Sequence, residues 1–205
     1  MTQNQDKSEN PFLQEFLDAK AVLKGHFKLS SGLHSDTYLQ CARVLMHGER
    51  SQKLCSALAQ KANDRMRVNF ADIVVSPAMG GVVAGYEVAK QLGIPAIFCE
   101  RVDGKFEFRR GFKIPKNAKV LVVEDVITTG KSSLETFEAI QKMGGEIVAE
   151  ACLVDRSNYD DISEKLGVPI ISLIKLDVKV FSPDRVPDEL KDIPPIKPGS
   201  RFIKK

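Results

Sequence analysis

Fourteen consecutive residues decide the fold of this chain: Val120-Leu-Val-Val-Glu-Asp-Val-Ile-Thr-Thr-Gly-Lys-Ser-Ser133. The apolar run over residues 118–123 is continuous enough to predict a strand buried on both faces of a parallel sheet. Two adjacent carboxylates end that strand, and a hydroxyl-rich turn with one glycine leads into a helix predicted over residues 133–143. Because ligands of open α/β sheets bind outside the carboxyl ends of the strands, this segment predicts a binding site as well as a fold.

Strand-like and helix-like segments alternate on both sides of this stretch. Apolar, β-branched runs predict further strands over residues 72–76, 94–99, 147–154 and 169–176, and helical spacing predicts helices over 51–65 and 82–92, the latter closed by Gly93. This alternation predicts βαβ units with right-handed crossovers, and therefore an α/β fold with a doubly wound, mostly parallel sheet.

The two ends of the chain differ from this pattern. We expect a solvated leader over the first ten residues and a helix opened by Asn10-Pro11, whose apolar stripe continues to Leu23; a polar, turn-rich stretch then covers 27–38. Half of the ten prolines fall between residues 182 and 199, which indicates either an ordered irregular arm or a flexible end. We predict one domain over 1–205, with about 1–50 and 177–205 forming a small hood and an irregular arm.

Composition narrows the class of protein. The chain has 205 residues, 43% of them hydrophobic and 28% charged, with a net charge of +3. These values are typical of a globular domain, and no apolar run is long enough to span a bilayer. The polar start excludes a signal peptide, and four widely spaced cysteines (Cys41, Cys55, Cys99 and Cys152) favour reduced thiols in a cytoplasmic protein. The mild positive charge suits small anionic substrates better than nucleic acid.

The turn after the carboxylates has the chemistry of a phosphate site. Its backbone N–H groups and hydroxyls lie at a predicted helix N-terminus, which favours anions. Glu124 and Asp125 would repel a phosphate in that same place, so they are better placed to accept hydrogen bonds from sugar hydroxyls. The combination indicates a ribose 5-phosphate. The alternative for a generic turn of this kind is a capped βα turn with solvated acids.

The segment resembles the phosphoribosyl diphosphate (PRPP) signature of the type I phosphoribosyltransferases, with four apolar residues, two acids, two apolar residues and Thr-Thr-Gly. It lacks the spacing of a Walker A loop and the three glycines of a dinucleotide-binding fingerprint. The resemblance implies PRPP binding by the run Glu124, Asp125, Val126, Ile127, Thr128, Thr129, Gly130, Lys131 and Ser132.

Other segments are similar to the orotate branch of that family. Phe27-Lys-Leu-Ser-Ser-Gly-Leu-His-Ser-Asp-Thr-Tyr38 resembles its N-terminal signature, and Ser76-Pro-Ala-Met-Gly-Gly81 its pyrophosphate-side loop. The stretch from Arg101 to Gly111 occupies the place of its mobile catalytic loop, and Asp155-Arg156 that of its orotate-facing arginine; the tail through Arg201 resembles one bacterial branch.

This resemblance implies transfer of the phosphoribosyl group of PRPP to orotate, giving orotidine 5′-monophosphate and pyrophosphate for pyrimidine biosynthesis. It implies catalytic roles for Lys105, Arg101 and Asp125, with Arg101 and Lys105 also contacting PRPP and Thr128 and Arg156 contacting orotate. Mg²⁺ is implied as cofactor, with few direct protein ligands, and so is a homodimer whose catalytic loop is shared between subunits. No nucleic-acid or membrane partner is expected.

The sequence departs from the family at several positions. Val102 and Glu107 stand where the loop often has a lysine and a histidine, and Gly80 replaces a lysine of the pyrophosphate-side loop. We expect Lys28 and His34 to be surface residues, and a role for Tyr38 at the base is left open. Rival interpretations are a purine-base enzyme of the same fold, a PRPP-sensing regulator that binds nucleic acid, and a purely structural βαβ module.

Overall fold

The computed structural model describes residues 10–29, 32–157, 159 and 161–198. The solvated leader predicted over the first ten residues therefore lies outside the described residues, except for residue 10. The part of the tail resemblance beyond residue 198 also lies outside them. The helices are α1 Pro11–Asp18, α2 Ala42–Leu45, α3 Gly48–Met66, α4 Gly80–Leu92, α5 Lys131–Lys142, α6 Ile162–Leu166 and α7 Asp188–Lys191. The strands are β1 Val22–Lys28, β2 His34–Leu39, β3 Ile73–Pro77, β4 Ala96–Val102, β5 Lys105–Phe108, β6 Lys119–Ile127, β7 Glu146–Asp155, β8 Ile170–Lys175 and β9 Val180–Phe181.

The main sheet has six strands in the order β5-β4-β3-β6-β7-β8. All neighbouring pairs are parallel except β4 and β5, which form an antiparallel hairpin at one edge. The chain moves outward from β3 to β4 on one side and from β6 to β8 on the other, so the strand order reverses between β3 and β6. The prediction of a doubly wound, mostly parallel sheet is confirmed.

Strand β6 shows why this sheet is buried on both faces. Leu121 and Val123 pack in the core on the side of α3 and α4, whereas Val120 and Val122 pack on the side of α5. All four are fully buried, as expected for a continuous apolar run in the centre of a parallel sheet.

The helix prediction at the N-terminus is wrong in its extent. Helix α1 ends at Asp18, and Lys20 then takes a left-handed conformation with φ 51° that cannot continue a helix. Val22 and Leu23 therefore begin β1, which pairs antiparallel with β2. The end of β1 and most of β2 lie within residues 27–38, for which the sequence predicts a polar, turn-rich stretch. The polar residues of β2 are mostly buried, because β9 from the distant tail pairs with its other edge.

The tail lies along this small second sheet. Ile196 forms a bridge to Phe27, with the Lys28 N–H donating to the Ile196 carbonyl at 2.8 Å. The described part of the tail, to residue 198, thus runs parallel to β1 at this bridge. In the described ranges, no helix has the length and apolar character that crossing a membrane requires.

Candidate active site

A cleft of about 690 Å³ lies where the strand order reverses, over the carboxyl ends of β3 and β6. Open α/β sheets bind ligands at this topological switch point, because the loops leaving the two central strands diverge there. The whole predicted run from Glu124 to Ser132 lines the cleft, and so do Arg101, Tyr38 and Arg156. The structure therefore brings together nearly all of the residues that the sequence singled out, although they come from distant parts of the chain.

The turn between β6 and α5, where the sequence predicts an anion site, lines the cleft. Gly130 immediately precedes the helix in a left-handed conformation with φ 74°, which suits glycine. A Cβ at this position would also lie 2.8 Å from Leu166 Cδ2, so a larger residue would collide with α6. The first turn of α5 thus lies at the cleft, and the N-terminus of a helix is a favourable place for a phosphate.

The two carboxylates of the run point to opposite sides of β6. Glu124 is buried on the α5 side, where the Ser133 hydroxyl donates to its Oε1 at 3.3 Å. Asp125 faces the loop after β3, and burial raises its pKa. Burial is also the largest cause of a raised pKa at Glu124, followed by the charges of Glu150 and Asp125.

Gly80 explains how the loop after β3 can approach Asp125. A Cβ on Gly80 would lie 2.6 Å from Asp125 Oδ1, which is closer than such atoms pack. The residue that replaces a lysine of the family thus leaves the space that the Asp125 carboxylate occupies. This function of the glycine was not predicted from the sequence.

Arg101 reaches the cleft from the end of β4. It forms an ion pair with Glu135 of α5, donates to the Gly104 carbonyl at 2.8 Å, and has its guanidinium 4.2 Å from the Phe106 ring centroid. The segment that resembles a mobile loop is folded as the β4–β5 hairpin. Lys105, at the start of β5, is exposed and does not line the cleft of its own chain.

Arg156 follows the last residue of β7 and is only 4% exposed. Its N–H donates to the Ile127 carbonyl at 3.0 Å, which fixes it beside the end of β6. The adjacent Asp155 pairs with Lys175 instead, at 2.8 Å. Within the described chain Arg156 forms no ion pair, its Nη2 has no hydrogen-bond partner, and burial lowers its pKa. Burying a guanidinium without an opposite charge destabilises the folded protein. An anion bound in the cleft at this point would offset that desolvation.

Several lining residues were missed or misjudged. Lys28 is exposed but borders the cleft, and its place within the N-terminal signature was the available signal. The expectation that His34 is a surface residue is wrong: it is 9% exposed, with Nδ1 2.5 Å from Nε2 of His26. Tyr159 and Lys197 also line the cleft, and only the folded chain could place them there.

Tyr38 borders the cleft as well, and burial and the charge of Asp125 raise its pKa. By contrast, the basic residues that follow the hairpin are exposed, as expected of solvated side chains: Arg109, Arg110, Lys113 and Lys116. Among them Arg109 and Arg110 pair with Glu100.

Comparison with known proteins agrees with this geometry. Residues 44–185 match the family model of the phosphoribosyl transferase domain. The chain is 53% identical over 196 residues to an orotate phosphoribosyltransferase of Sphingopyxis alaskensis, covering 96% of this chain and 98% of that protein. A second orotate phosphoribosyltransferase, from Rhizorhabdus wittichii, is 51% identical over 95% of this chain and 97% of its own length.

The fold is also similar to solved structures. The crystal structure of orotate phosphoribosyltransferase from Aeropyrum pernix superposes with a TM-score of 0.66 at 26% identity, covering 80% of this chain and 92% of that one. The sheet order, the switch-point cleft and these similarities agree. The chain belongs to the phosphoribosyltransferase family and, within it, to the orotate phosphoribosyltransferases.

Proposed function

We propose that this chain transfers the 5-phosphoribosyl group of PRPP to a ring nitrogen of orotate, releasing orotidine 5′-monophosphate and pyrophosphate in pyrimidine nucleotide biosynthesis. One observation carries the proposal: a phosphate-binding turn, a carboxylate pair and a buried, unpaired Arg156 line the same cleft. Those three features match, in turn, the phosphate, the ribose and the carboxylate of the two substrates.

PRPP would bind with its 5-phosphate on the N–H groups and hydroxyls of residues 128–132. Glu124 and Asp125 would accept hydrogen bonds from the ribose hydroxyls, because they lie beside that turn and would repel a phosphate. The pyrophosphate would then face the loop after β3 and Arg101. Arg101 must in part exchange its bond to Glu135 for the pyrophosphate when the substrate binds.

The described residues contain no cluster of three or more histidine, cysteine or acidic side chains able to hold a metal ion. We propose Mg²⁺ as the cofactor, which would have few direct protein ligands because this ion commonly keeps several waters and binds with phosphate substrates. Bound in that way, it would neutralise charge that develops on the leaving group.

The residues of the chain act mainly by electrostatics and positioning. As the bond to pyrophosphate breaks, the ribose becomes cationic and the leaving group gains negative charge, which Arg101 and Lys105 would stabilise. Arg156 would hold the planar carboxylate of orotate through two parallel hydrogen bonds and so orient the attacking nitrogen. Thr128 lines the cleft in the same turn, and we assign it a contact with the base as well as with the phosphate.

We also propose that the protein is a homodimer in which the β4–β5 hairpin of one subunit serves the cleft of the other. Lys105 lies outside its own cleft, so its charge is available to a neighbouring one. Met79, just before α4, and Val83 and Tyr86 within it recur at helical spacing and are 77%, 45% and 63% exposed. Such an apolar stripe is typical of a contact surface, and a second copy of the chain is the occupant that would bring the hairpin to the site.

A purine-base enzyme of the same fold offers the main alternative. It gives no reason for a buried cation at the base end of the cleft, since purine bases carry no carboxylate. A PRPP-sensing regulator would need a nucleic-acid surface, and the exposed Arg109 and Arg110 pair with Glu100 instead of forming one. The cytoplasmic location stays a prediction, supported by four cysteines that are all free and buried.

The experiment that tests this function is a base-selectivity assay. Purified protein is incubated with PRPP, Mg²⁺ and orotate, and the loss of orotate and the release of pyrophosphate are followed together. We expect both signals with orotate and neither with adenine, hypoxanthine or uracil. Turnover of a purine base in place of orotate would contradict the proposal.

A further inference from the structure

Glu150, in the middle of β7, is an unexplained acid in the core. Its side chain is 0% exposed, and neither carboxyl oxygen has a hydrogen-bond partner in the described part of the chain. Burying an ionised carboxylate without a partner is strongly unfavourable, so a protein either pairs such a group or protonates it. No motif of the sequence includes this residue.

The sheet register places Glu150 beside Glu124. Glu150 is the register partner of Val122, and Cys152, two residues further along β7, is the partner of Glu124. Side chains two residues apart lie on the same face of a strand. Val122 and Glu124 of β6 and Glu150 and Cys152 of β7 therefore all face the α5 side of the sheet. Each of the two carboxyl groups affects the pKa of the other, so they lie close together, and the Ser133 hydroxyl of α5 donates to Glu124.

A hydrogen bond between two carboxyls requires a proton on one of them. Burial raises the pKa of Glu150 to about 8, and burial together with the charges of Glu150 and Asp125 raises that of Glu124. Cys152 on β7 and Cys99 on β4 are further titratable groups near the pair. Burial raises the pKa of both thiols. Among the described residues, the Glu124 carboxyl and the Ser133 hydroxyl affect the pKa of Glu150, and no cation forms an ion pair with it.

We propose that Glu150 is a positioning residue of the PRPP site, which shares one proton with the neighbouring Glu124 and so holds that carboxyl group for the ribose of PRPP. The proposal rests on the function proposed above, because it assumes that Glu124 contacts the sugar. The proton would leave a single negative charge on the pair at neutral pH. Deprotonation above about pH 8 would separate the two carboxylates and place a second negative charge near an anionic substrate.

Two substitutions distinguish this role from simple packing. In Glu150→Gln the amide can still donate to Glu124 but cannot titrate, whereas Glu150→Leu removes the donor and keeps a similar volume. Glu146→Gln is the matched control, since Glu146 is an exposed acid at the start of the same strand. Thermal unfolding of each variant establishes that it is folded.

The first measurement is PRPP binding by calorimetry between pH 7 and pH 9.5. In the wild type and Glu146→Gln we expect the Kd for PRPP to rise above about pH 8; in Glu150→Gln we expect the neutral-pH Kd within about twofold of wild type and no such rise. Glu150→Leu should bind PRPP about tenfold to hundredfold more weakly, as expected from the loss of a hydrogen bond to a charged group. An unchanged alkaline rise in Glu150→Gln would overturn the proposal even if the leucine variant does not fold.

The second measurement needs no turnover. The infrared spectrum of the wild type at pH 7 should contain a protonated carboxylic acid band that disappears in Glu150→Gln and shifts when PRPP binds. A band that persists in Glu150→Gln, or that PRPP leaves unmoved, would contradict the shared proton. Failure of orotate transfer alone would refute the proposed function and leave both PRPP-binding and infrared results interpretable.

Discussion

Replacement of Arg156 tests the base end of the cleft and separates stability from function. Arg156 is 4% exposed, forms no ion pair with a described residue, and has an Nη2 group without a partner. In the substrate-free protein it is therefore a buried charge whose desolvation is not offset by an opposite charge. Arg156→Met keeps much of the volume and removes that charge, so we expect the melting temperature to stay the same or to rise.

The same substitution should greatly lower kcat/KM for orotate, although it leaves the melting temperature unchanged or raises it. Removing one partner of a desolvated charge pair costs about 3–5 kcal/mol, which lowers kcat/KM for orotate by roughly two to four decades at 1.4 kcal/mol per decade. Arg156→Lys keeps the charge but loses the planar fork, and should fall between Arg156→Met and the wild type. The PRPP Kd should change little in either variant, because Arg156 is bonded beside the phosphate turn through its backbone N–H, which both substitutions keep.

The assay is a full orotate and PRPP kinetic matrix with a thermal melt of each variant. Lys175→Met is the structural control: it removes the cation that pairs with Asp155 and leaves Arg156 itself in place. Loss of PRPP binding with an unchanged KM for orotate in both Arg156 variants would refute the reasoning. So would a strong fall in melting temperature for Arg156→Met, since that would make Arg156 a stabilising residue.

Three further predictions follow from the geometry. Lys105→Ala and Asp125→Asn should each be nearly inactive, yet mixing them after subunit exchange should restore up to about a quarter of wild-type activity, because hybrid dimers keep one intact site; no recovery after proven exchange would place the Lys105 function in its own subunit. Gly80→Ala should lower kcat/KM about a hundredfold by displacing the Asp125 carboxylate, whereas Gly48→Ala, where an added Cβ meets nothing within 4 Å, should not; equal activity of the two variants would argue against the close approach. Because the folded state raises the pKa of Glu150 to about 8, its stabilising contribution is complete below about pH 4.5 and is lost as the pH rises through about 8; Glu150→Gln should reduce this loss, by up to about 1.4 kcal/mol per pH unit in unfolding experiments, and parallel stability curves for the two proteins would refute it.

The centre of the fold could be predicted because its signals are local. The apolar run of β6, the acids at its end and the glycine before α5 lie within fourteen residues, and each follows from the physics of neighbouring positions. The turn could be assigned as a ligand site for the same reason. Arg156 could be placed at the same edge because it lies two residues after a predicted strand.

The small sheet could not be predicted in this way. Strand β2 carries His34, Ser35 and Thr37, and these are buried because β1 covers one edge and β9, about 145 residues further along, the other. Its pattern is polar because hydrogen bonds satisfy those groups, as the Ser35 hydroxyl shows by donating to the Lys179 carbonyl at 2.8 Å. Such long-range pairing leaves no local hydrophobic period.

The contacts of Glu150 and of Gly80 with residues of other strands gave no sequence signal either. Glu150 interrupts the apolar run of β7, and only the register with β6 reveals that a second buried acid lies next to it. The close approach of Gly80 to Asp125 depends in the same way on two strands that are distant in sequence. In both cases the side-chain chemistry was visible in the sequence, whereas its partner was not.

The most direct test of the substrate arrangement is a crystal structure with orotate and an unreactive PRPP analogue bound together. We expect the 5-phosphate on the backbone N–H groups of residues 128–132, the ribose hydroxyls at Glu124 and Asp125, and both carboxylate oxygens of orotate within hydrogen-bond distance of the Arg156 guanidinium. Orotate with its carboxylate away from Arg156, or a 5-phosphate bound outside that turn, would contradict the central claim.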